Sequence, residues 1–325
     1  MRSPIVLLII AILFWSACTP QIHLDFLGRQ RMQEVVLMKS EKSEKIAVLD
    51  LFGTIQTENR TGMLSREGDA ISQIYHRLET AAKDPLVKGI ILRLDTPGGG
   101  ITASDIIYHE ILRFRKKNQI PVVALMMGVA ASGGYYVASA CDYIIAHPTT
   151  ITGSIGVITI LPDFNRILAK FGVDINVFKS GIMKDAGSPY RKMTSDEKAH
   201  FQSLIDAMYE RFLEVIHHNR KDKLSMKEIR ALADGRIYSA QKALDVKLID
   251  KIGYFESALK EILLLAELDQ ATVVAYSYFP LRKTNIYARS GFEENPLKVE
   301  IKGLDHILPT LKSGFYYLWL PVLGD

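Results

Sequence analysis

Cysteine is one of the rarest residues in this sequence, and its scarcity argues against two kinds of structure. The 325-residue chain contains only Cys18 and Cys141. Two cysteines do not make the disulfide framework of a small secreted domain, and they suggest no cluster of metal ligands. Cys141 lies in an apolar stretch, so we expect a small, buried hydrophobic residue. Neither a metal nor another cofactor is expected.

Dense blocks of basic residues are also missing. The net charge is only +4, and lysine and arginine are spread along the chain. This distribution argues against nucleic acid as a partner. Charged residues make up 23% of the chain and hydrophobic residues 48%, a balance that predicts a folded protein with a substantial core.

The N-terminal hydrophobic run is too short for an ordinary membrane-spanning helix. Pro4 to Trp15 are 12 residues without a charge, whereas a span needs about 20 apolar residues and a signal-peptide core about 7–15. Ser16, Ala17 and Cys18 follow, which resembles the lipobox of bacterial lipoproteins, although Trp15 departs from it. Lipidation at Cys18, an uncleaved short anchor and plain secretion are the alternatives, and each exports the rest of the chain.

The remaining sequence divides into three parts. After the signal segment, residues 1–18, the mixed and polar residues 19–44 predict a tether. Residues 45–255 alternate between strand-like and helix-like stretches and form the main predicted domain. Residues 256–325 are a C-terminal extension, whose apolar and aromatic end, "LKSGFYYLWLPVLGD", predicts contact with another subunit or with a membrane.

Near-continuous apolar strands and amphipathic helices predict an α/β fold with a largely parallel sheet covered on both faces. The expected strands are "KIAVLDLFGTI", "VKGIILRLDTP", "PVVALMM", "YIIAHPTT", "VDINVFKSG" and "TVVAYSYFP". The expected helices are "DAISQIYHRLETAAK", "ASDIIYHEILRFRKK", "SDEKAHFQSLIDAMYERFLEVIHHNRK", two shorter ones near 225–233 and 239–246, and "FESALKEILLLAEL".

Three glycine-containing loops follow predicted strands, where ligands bind in an open α/β sheet. "DTPGGG", residues 95–100, lacks the spacing of a phosphate loop and is either a turn or a place where backbone N–H groups meet a ligand. "ASGGYY" places Ser132 between a strand and a helix, as a helix cap or as a nucleophile. "TGSIGV", which contains Ser154, is by itself a turn.

A nucleophilic serine needs a base, and the histidines do not offer an obvious one. His147 follows a strand, but no third residue suggests a triad. A lysine can serve if it is neutral, which a dry site favours. Lys184 in "KSGIMKDAGSP" stands among small and apolar residues. Lys179 lies nearby in a predicted strand, and Asp185 offers Lys184 an ordinary ion pair instead.

The four motifs "DTPGGG", "ASGGYY", "TGSIGV" and "SGIMKDAGSPYRKMTSDEK", in this order, resemble the signal peptide peptidase SppA family of serine–lysine proteases, peptidase family S49, in its short form. The resemblance places the nucleophile at Ser132 and the general base at Lys184. It places a helper hydroxyl at Ser154, and the oxyanion hole at backbone N–H groups of Gly133 and of Gly98 or Gly99.

The resemblance also implies a ClpP/crotonase-like fold of repeated ββα units, followed here by a helical C-terminal extension. It implies a homo-oligomeric ring whose sites are assembled between neighbouring protomers. The expected substrates are cleaved signal peptides at the outer face of the cytoplasmic membrane. An inactive scaffold and an acyl-CoA enzyme of the same fold are the alternatives. Coenzyme A is cytosolic, which argues against the second.

Overall fold

The computed structural model describes residues 32–57, 70–278, 285–287 and 315–318. The strands are β1 (Gln33–Met38), β2 (Lys45–Phe52), β3 (Val87–Thr96), β4 (Gly98–Gly100), β5 (Val122–Ala131), β6 (Tyr143–Ala146), β7 (Ile151–Gly153), β8 (Ile237–Ser239), β9 (Lys251–Ile252), β10 (Thr272–Ser277) and β11 (Tyr316–Leu318). The helices are α1 (Ala70–Lys83), α2 (Ile101–Asn118), α3 (Gly133–Ala138), α4 (Asn165–Lys170), α5 (Ser195–Arg220), α6 (Met226–Leu232), α7 (Ala240–Asp245) and α8 (Phe255–Leu265).

The main sheet is predominantly parallel, as the sequence predicts. Its strands run in the order β1-β10-β2-β3-β5-β6-β9, and β7 and β8 continue from the far end of β5. Only the β1–β10 and β7–β8 pairs of this sheet are antiparallel. The central strands β2, β3 and β5 are buried along most of their length, which explains their continuous apolar sequences. The α/β fold class is confirmed.

Helix α8 covers one face of the sheet and shows how closely the layers pack. Ile262 is fully buried in a cluster with Ile46 and Ile91. A Cβ atom added to Gly89 of β3 would lie 2.6 Å from Ile262 Cγ1. The helix therefore rests on the sheet at a position that requires a residue without a side chain.

Two predicted boundaries differ from the structure. Residues 33–38 of the expected tether form strand β1, which pairs with β10. Residues 256–278 of the expected extension belong to the domain, because α8 packs on the sheet and β10 lies between β1 and β2 within it. The pairing joins parts of the chain more than 200 residues apart, which local composition does not reveal. The signal segment and Cys18 lie outside the described residues.

The strand predicted for "VDINVFKSG" is not formed. Residues 173–179 have no regular secondary structure, and every residue from 171 to 184 is exposed. The alternation that predicted the strand is real, since Val173, Ile175 and Val177 occupy every second position. A strand also needs a neighbouring strand to pair with, and the described part of the chain gives this segment none.

Three smaller findings complete the comparison with the sequence. Cys141 is buried, as expected, and burial raises the pKa of its thiol to about 12. Helix α5 begins at the expected Ser195, but its cap is Thr194, whose hydroxyl accepts a hydrogen bond from the Glu197 N–H group. Among the described residues, no helix is long and apolar enough to cross a membrane.

Candidate active site

Ser132 lies at the sharp turn between β5 and α3. Its backbone has φ 52° and ψ −113°, a conformation that residues other than glycine rarely adopt. The residue is only 1% exposed, and its N–H group donates a 2.7 Å hydrogen bond to the Gly153 carbonyl. Its hydroxyl does not cap α3. The helix-cap alternative is therefore wrong, and the strained strand–turn–helix geometry is the kind that presents a nucleophile.

The "DTPGGG" loop lies directly against this turn. Gly98 has φ +98°, and a Cβ atom added to it would lie 2.7 Å from the Gly133 nitrogen. The Gly98 N–H group donates to the Thr96 hydroxyl at 3.1 Å. A Cβ on Gly99 would lie 1.9 Å from the Ile55 carbonyl oxygen. Two of the glycines expected at an oxyanion hole, Gly98 and Gly133, are thus neighbours, and the loop requires glycine.

Thr96 and Asp95 hold this loop in place, and the sequence alone assigns a role to neither. Thr96 is fully buried. One carboxylate oxygen of Asp95 accepts a 3.0 Å hydrogen bond from the N–H group of Val129 in β5. The two side chains therefore connect the glycine loop to the strand that leads to Ser132. The only feature of the sequence that could have indicated this role is their position just before the glycines of the loop.

The "TGSIGV" loop is the third wall of the site. Strand β7 pairs in parallel with the end of β5, so that Ala131 lies beside Gly153. Ser154 follows, with φ 49° and 8% exposure, and its N–H group donates to the Arg236 carbonyl at 2.8 Å. The pairing brings Ser154 into the neighbourhood of Ser132.

A short peptide strand occupies the cleft between these loops. Strand β11 pairs antiparallel with β4, with Tyr317 opposite Gly99. On its other edge, the N–H group of Tyr316 donates to the Ile158 carbonyl at 3.0 Å, and the Ile158 N–H group donates back at 3.1 Å. The cleft therefore holds an extended backbone along both edges.

The carbonyl group of Tyr317 points at the glycines next to Ser132. A Cβ on Gly98 would lie 2.1 Å from the Tyr317 carbonyl oxygen, and a Cβ on Gly133 would lie 3.1 Å from it. The sequence alone does not connect the C-terminal region with the site. Only its apolar, aromatic composition marked it as unusual.

Lys184 lies in a different environment, on an exposed turn. The carboxylate of the adjacent Asp185 is occupied by Lys179, at 2.6 Å, and by two hydrogen bonds from Arg191. These contacts, led by Arg191, hold the pKa of Asp185 well below its usual range. Arg191 also pairs with Glu197 and lowers the pKa of that carboxyl to about 2.

This network leaves the Lys184 amine free. Within the described part of the chain, its side chain makes no hydrogen bond or ion pair. The expected alternative, an ion pair between Lys184 and Asp185, is wrong because Lys179 takes that place. One chain does not provide Lys184 with a dry setting, since the residue is exposed whereas Ser132 is buried.

His147 is not placed to serve Ser132, because it follows Ala146, which pairs with Met126 within β5, whereas Ser132 follows the end of β5. Its Nδ1 atom lies 2.8 Å from the Thr149 hydroxyl, and its ring packs edge-on against Tyr254 at 4.8 Å between centroids. Within the described residues, no group of three or more histidine, cysteine, aspartate or glutamate side chains could hold a metal ion.

Comparison with known proteins identifies relatives of this chain. The model of "Peptidase family S49" matches residues 114–269. The protein "Putative signal peptide peptidase SppA" of Enterococcus faecium is 35% identical over 77% of this chain and 72% of its own length. "Protease 4" of Haemophilus influenzae is 37% identical over 71% of this chain and 36% of its own length. A solved ClpP1 mutant of Listeria monocytogenes gives a TM-score of 0.42 at 17% identity, covering 65% of this chain and 93% of that chain.

Proposed function

Because the chain belongs to peptidase family S49, we propose that it is a serine endopeptidase in which Ser132 and Lys184 form the catalytic dyad. Family membership confirms the resemblance found in the four motifs. The proposal concerns the individual residues, their arrangement between subunits, the substrate and the location.

The observation that carries the proposal is the peptide carbonyl beside Ser132. The Tyr317 carbonyl oxygen lies against Gly98 and Gly133, on a strand that the cleft holds by its backbone. A substrate bound in the same way would present its carbonyl carbon to the serine and its oxygen to backbone N–H groups. Such donors are effective because they are fixed before the negative charge develops.

The hydrogen bonds of the glycine loop favour particular donors. The Gly98 N–H group is already engaged by Thr96, and that of Gly100 donates to the Ile55 carbonyl. Gly99 stands opposite Tyr317 in the strand register. We therefore assign the oxyanion hole to the N–H groups of Gly99 and Gly133, with Gly98 shaping the space for the oxygen.

The proposed reaction is acyl transfer followed by hydrolysis. Neutral Lys184 takes the proton from the Ser132 hydroxyl as the oxygen attacks the peptide carbonyl carbon. The tetrahedral intermediate collapses, the C–N bond breaks, and Lys184 gives the proton to the leaving amine. Water then attacks the acyl-enzyme with the same base, releasing the new carboxylate and restoring Ser132. Ser154 would hydrogen-bond the lysine in the assembled site.

Lys184 would reach this site from a neighbouring subunit. The exposed segment, residues 160–184, contains no buried residue. Its apolar side chains face solvent in the single chain: Ile160, Phe164, Ile167, Phe171, Val173, Ile175, Val177, Phe178, Ile182 and Met183. A second copy of the chain that covers them would exclude water from the lysine amine, which is the condition that a lysine base needs. Repetition of this contact around an axis gives a homo-oligomeric ring.

The proposed substrate and location are those that the family resemblance implies. We propose that the substrates are apolar peptides, namely signal peptides already released from exported proteins. The N-terminal run at residues 4–15 and Cys18 would hold the enzyme at the outer face of the cytoplasmic membrane, with the catalytic domain on the periplasmic side. In the form lipidated at Cys18, the protein is a lipoprotein that works beside its membrane-borne substrates.

Covalent labelling of the full chain tests the nucleophile. A fluorophosphonate probe should label the wild type and the Ser139→Ala variant but not Ser132→Ala. Ser139 is the matched control because it is equally buried, near the end of the same helix, with its hydroxyl donating to the Tyr135 carbonyl at 2.9 Å. An unlabelled wild-type protein that is folded and oligomeric would favour the inactive scaffold.

A further inference from the structure

An open cavity of about 500 Å³ lies between helices α2 and α5 and shares no lining residue with the loops around Ser132. Six side chains in its lining can carry a charge, and all but one of them are basic. They are His109 of α2, Arg211, Glu214, His217 and His218 of α5, and Lys221 directly after that helix. Basic groups from two helices thus line one space, which favours an anionic ligand.

The histidines determine the net charge of this cavity. Arg211 pairs with Asp105 at 3.0 Å, so its charge is already balanced. Lys221 and Glu214 carry opposite charges and offset each other in number. Within the described part of the chain, the three histidines and Lys221 make no hydrogen bond or ion pair. Each imidazole is therefore available to a ligand, and each one that gains a proton makes the cavity more positive.

Helix polarity alone does not explain these histidines. Cations are favourable in the last turn of a helix, and His217 and His218 stand in the last turn of α5. His109 lies in the interior of α2, the other helix that lines the cavity. The feature that all three share is the cavity itself.

Tyr108 adds a buried donor to the same cavity. The residue is only 5% exposed, and its hydroxyl oxygen accepts a 2.8 Å hydrogen bond from the side-chain amide of Asn219. The same amide nitrogen donates to the Val215 carbonyl at 2.7 Å, which fixes the orientation of the amide. The hydroxyl proton of Tyr108 therefore has no acceptor among the described residues. Burial raises the pKa of this hydroxyl, so the proton stays in place. A buried donor without an acceptor points to a ligand.

We propose that this cavity binds the phosphate group of an organic phosphate ester, and that it binds the ester more tightly as the histidines gain protons. A phosphate group offers several strong acceptor oxygens, which can receive hydrogen bonds from Tyr108 and from the basic groups of both helices at once. The cavity is larger than a phosphate alone, and Leu112, Val215 and Met226 give it an apolar side for the carbon atoms of the ester. Histidine gains its charge between about pH 8 and pH 5, so acidification strengthens the attraction. The phosphate belongs either to a phospholipid headgroup or to a soluble ester.

Calorimetric titration of the full wild-type chain tests the proposal. The probe is glycerophosphoglycerol, a phosphodiester that keeps one negative charge between about pH 5.5 and about pH 7.5. A phosphate monoester is unsuitable because its second pKa, about 6, lies in this range. We expect Kd to be about tenfold lower at the acidic end of the range, since each protonated histidine adds an ion pair of modest strength. Binding that is absent at both ends of the range, or that does not change with pH, would overturn the proposal.

Three variants show whether the named side chains bind the probe. His217→Gln/His218→Gln should remove most of the pH dependence, whereas His200→Gln should keep it. His200 is the matched control because it is an exposed histidine of the same helix that packs against Phe201, outside the cavity. Tyr108→Phe should raise Kd about tenfold throughout the range, because a hydrogen bond to a charged group is lost. Equal Kd values in the wild type and all three variants would place the binding elsewhere and overturn the assignment.

Vesicles of phosphatidylglycerol distinguish the two sources of the phosphate. If they displace glycerophosphoglycerol from the wild-type chain, the cavity is open to lipid headgroups. If the probe stays bound, the ligand is a soluble ester. Both results support the phosphate site, and neither depends on peptide hydrolysis.

Discussion

The cleft around Ser132 and the exposed segment that carries Lys184 are built in opposite ways. In the cleft, backbone groups have partners, glycines touch neighbouring backbones, and Ser132 is held in a strained conformation by the strands on either side. In the exposed segment, apolar side chains face solvent, and Phe178 is 97% exposed. The conformation of the proposed nucleophile is therefore fixed within one chain, whereas the proposed base lies on an exposed apolar surface.

The two lysines of the exposed segment, Lys179 and Lys184, have different surroundings. Lys179 neutralises Asp185 within the segment, together with Arg191. Lys184 is left without a counter-charge in the described structure. The ion pairs of Asp185 thus stabilise the turn and leave the Lys184 amine without a partner. A second subunit that covers the turn could then desolvate this amine.

The largest expected effect on the rate of peptide hydrolysis comes from removing the Lys184 amine. Lys184→Ala should lower peptide hydrolysis by about three orders of magnitude or more, because Ser132 loses its base. Lys184→Arg should be equally inactive, since a guanidinium does not deprotonate in the working range. Rates can be measured with a synthetic peptide that copies residues 313–320, "SGFYYLWL".

Lys179→Ala is the matched control for this comparison. It removes an amine five residues away that pairs with Asp185, and Arg191 remains to hold that carboxylate. We expect a loss of no more than about threefold. Equal losses in Lys179→Ala and Lys184→Ala would mean that the turn acts through its shape, and Lys184 would no longer be the base.

A smaller effect is expected from the cleft. The methyl group of Gly98→Ala would stand where the Tyr317 carbonyl oxygen lies, and it would press on the Gly133 nitrogen. The methyl group would keep a substrate carbonyl oxygen away from the proposed donors of Gly99 and Gly133. Loss of an oxyanion-hole interaction typically reduces the rate by about 10²–10³, and we expect a reduction in kcat of that size. Circular dichroism should show that the fold is retained.

Gly100→Ala provides the comparison within the same loop. Its added Cβ meets nothing closer than 3.8 Å, and its φ of −62° suits any residue. The expected loss is severalfold at most. If Gly98→Ala and Gly100→Ala were equally active, the carbonyl site next to Gly98 would not be the place where charge develops.

Most of the cleft's components could be predicted from the sequence, but not their contacts. The central strands are apolar throughout and the helices have clear periodicity, so local pattern was sufficient for them. Ser132 looked equally like a helix cap, because its positive φ is not visible in the sequence. Tyr317 was missed because its pairing with Gly99 joins residues more than 200 positions apart. The prediction of a strand for "VDINVFKSG" was wrong. Alternation identifies apolar side chains on one face of a segment, but it does not show whether a neighbouring strand is there to pair with it.

The proposed division of the dyad between subunits is tested by mixing inactive chains. Ser132→Ala and Lys184→Ala, co-expressed in equal amounts with different tags, should form mixed oligomers. A site is active when one chain supplies Ser132 and its neighbour supplies Lys184. Random assembly around a ring makes this true for about a quarter of the sites. Co-purified oligomers should therefore recover about a quarter of the wild-type rate.

A second mixture shows from which chain the lysine comes. Wild-type chains are co-expressed in equal amounts with the Ser132→Ala/Lys184→Ala variant. If the dyad is shared between neighbours, both must be wild type, and about a quarter of the sites are active. If each chain holds its own dyad, about half are active, and the first mixture stays inactive. An inactive first mixture with a half-active second one would return Lys184 to the same chain as Ser132, and the exposed segment would need another reason to be apolar.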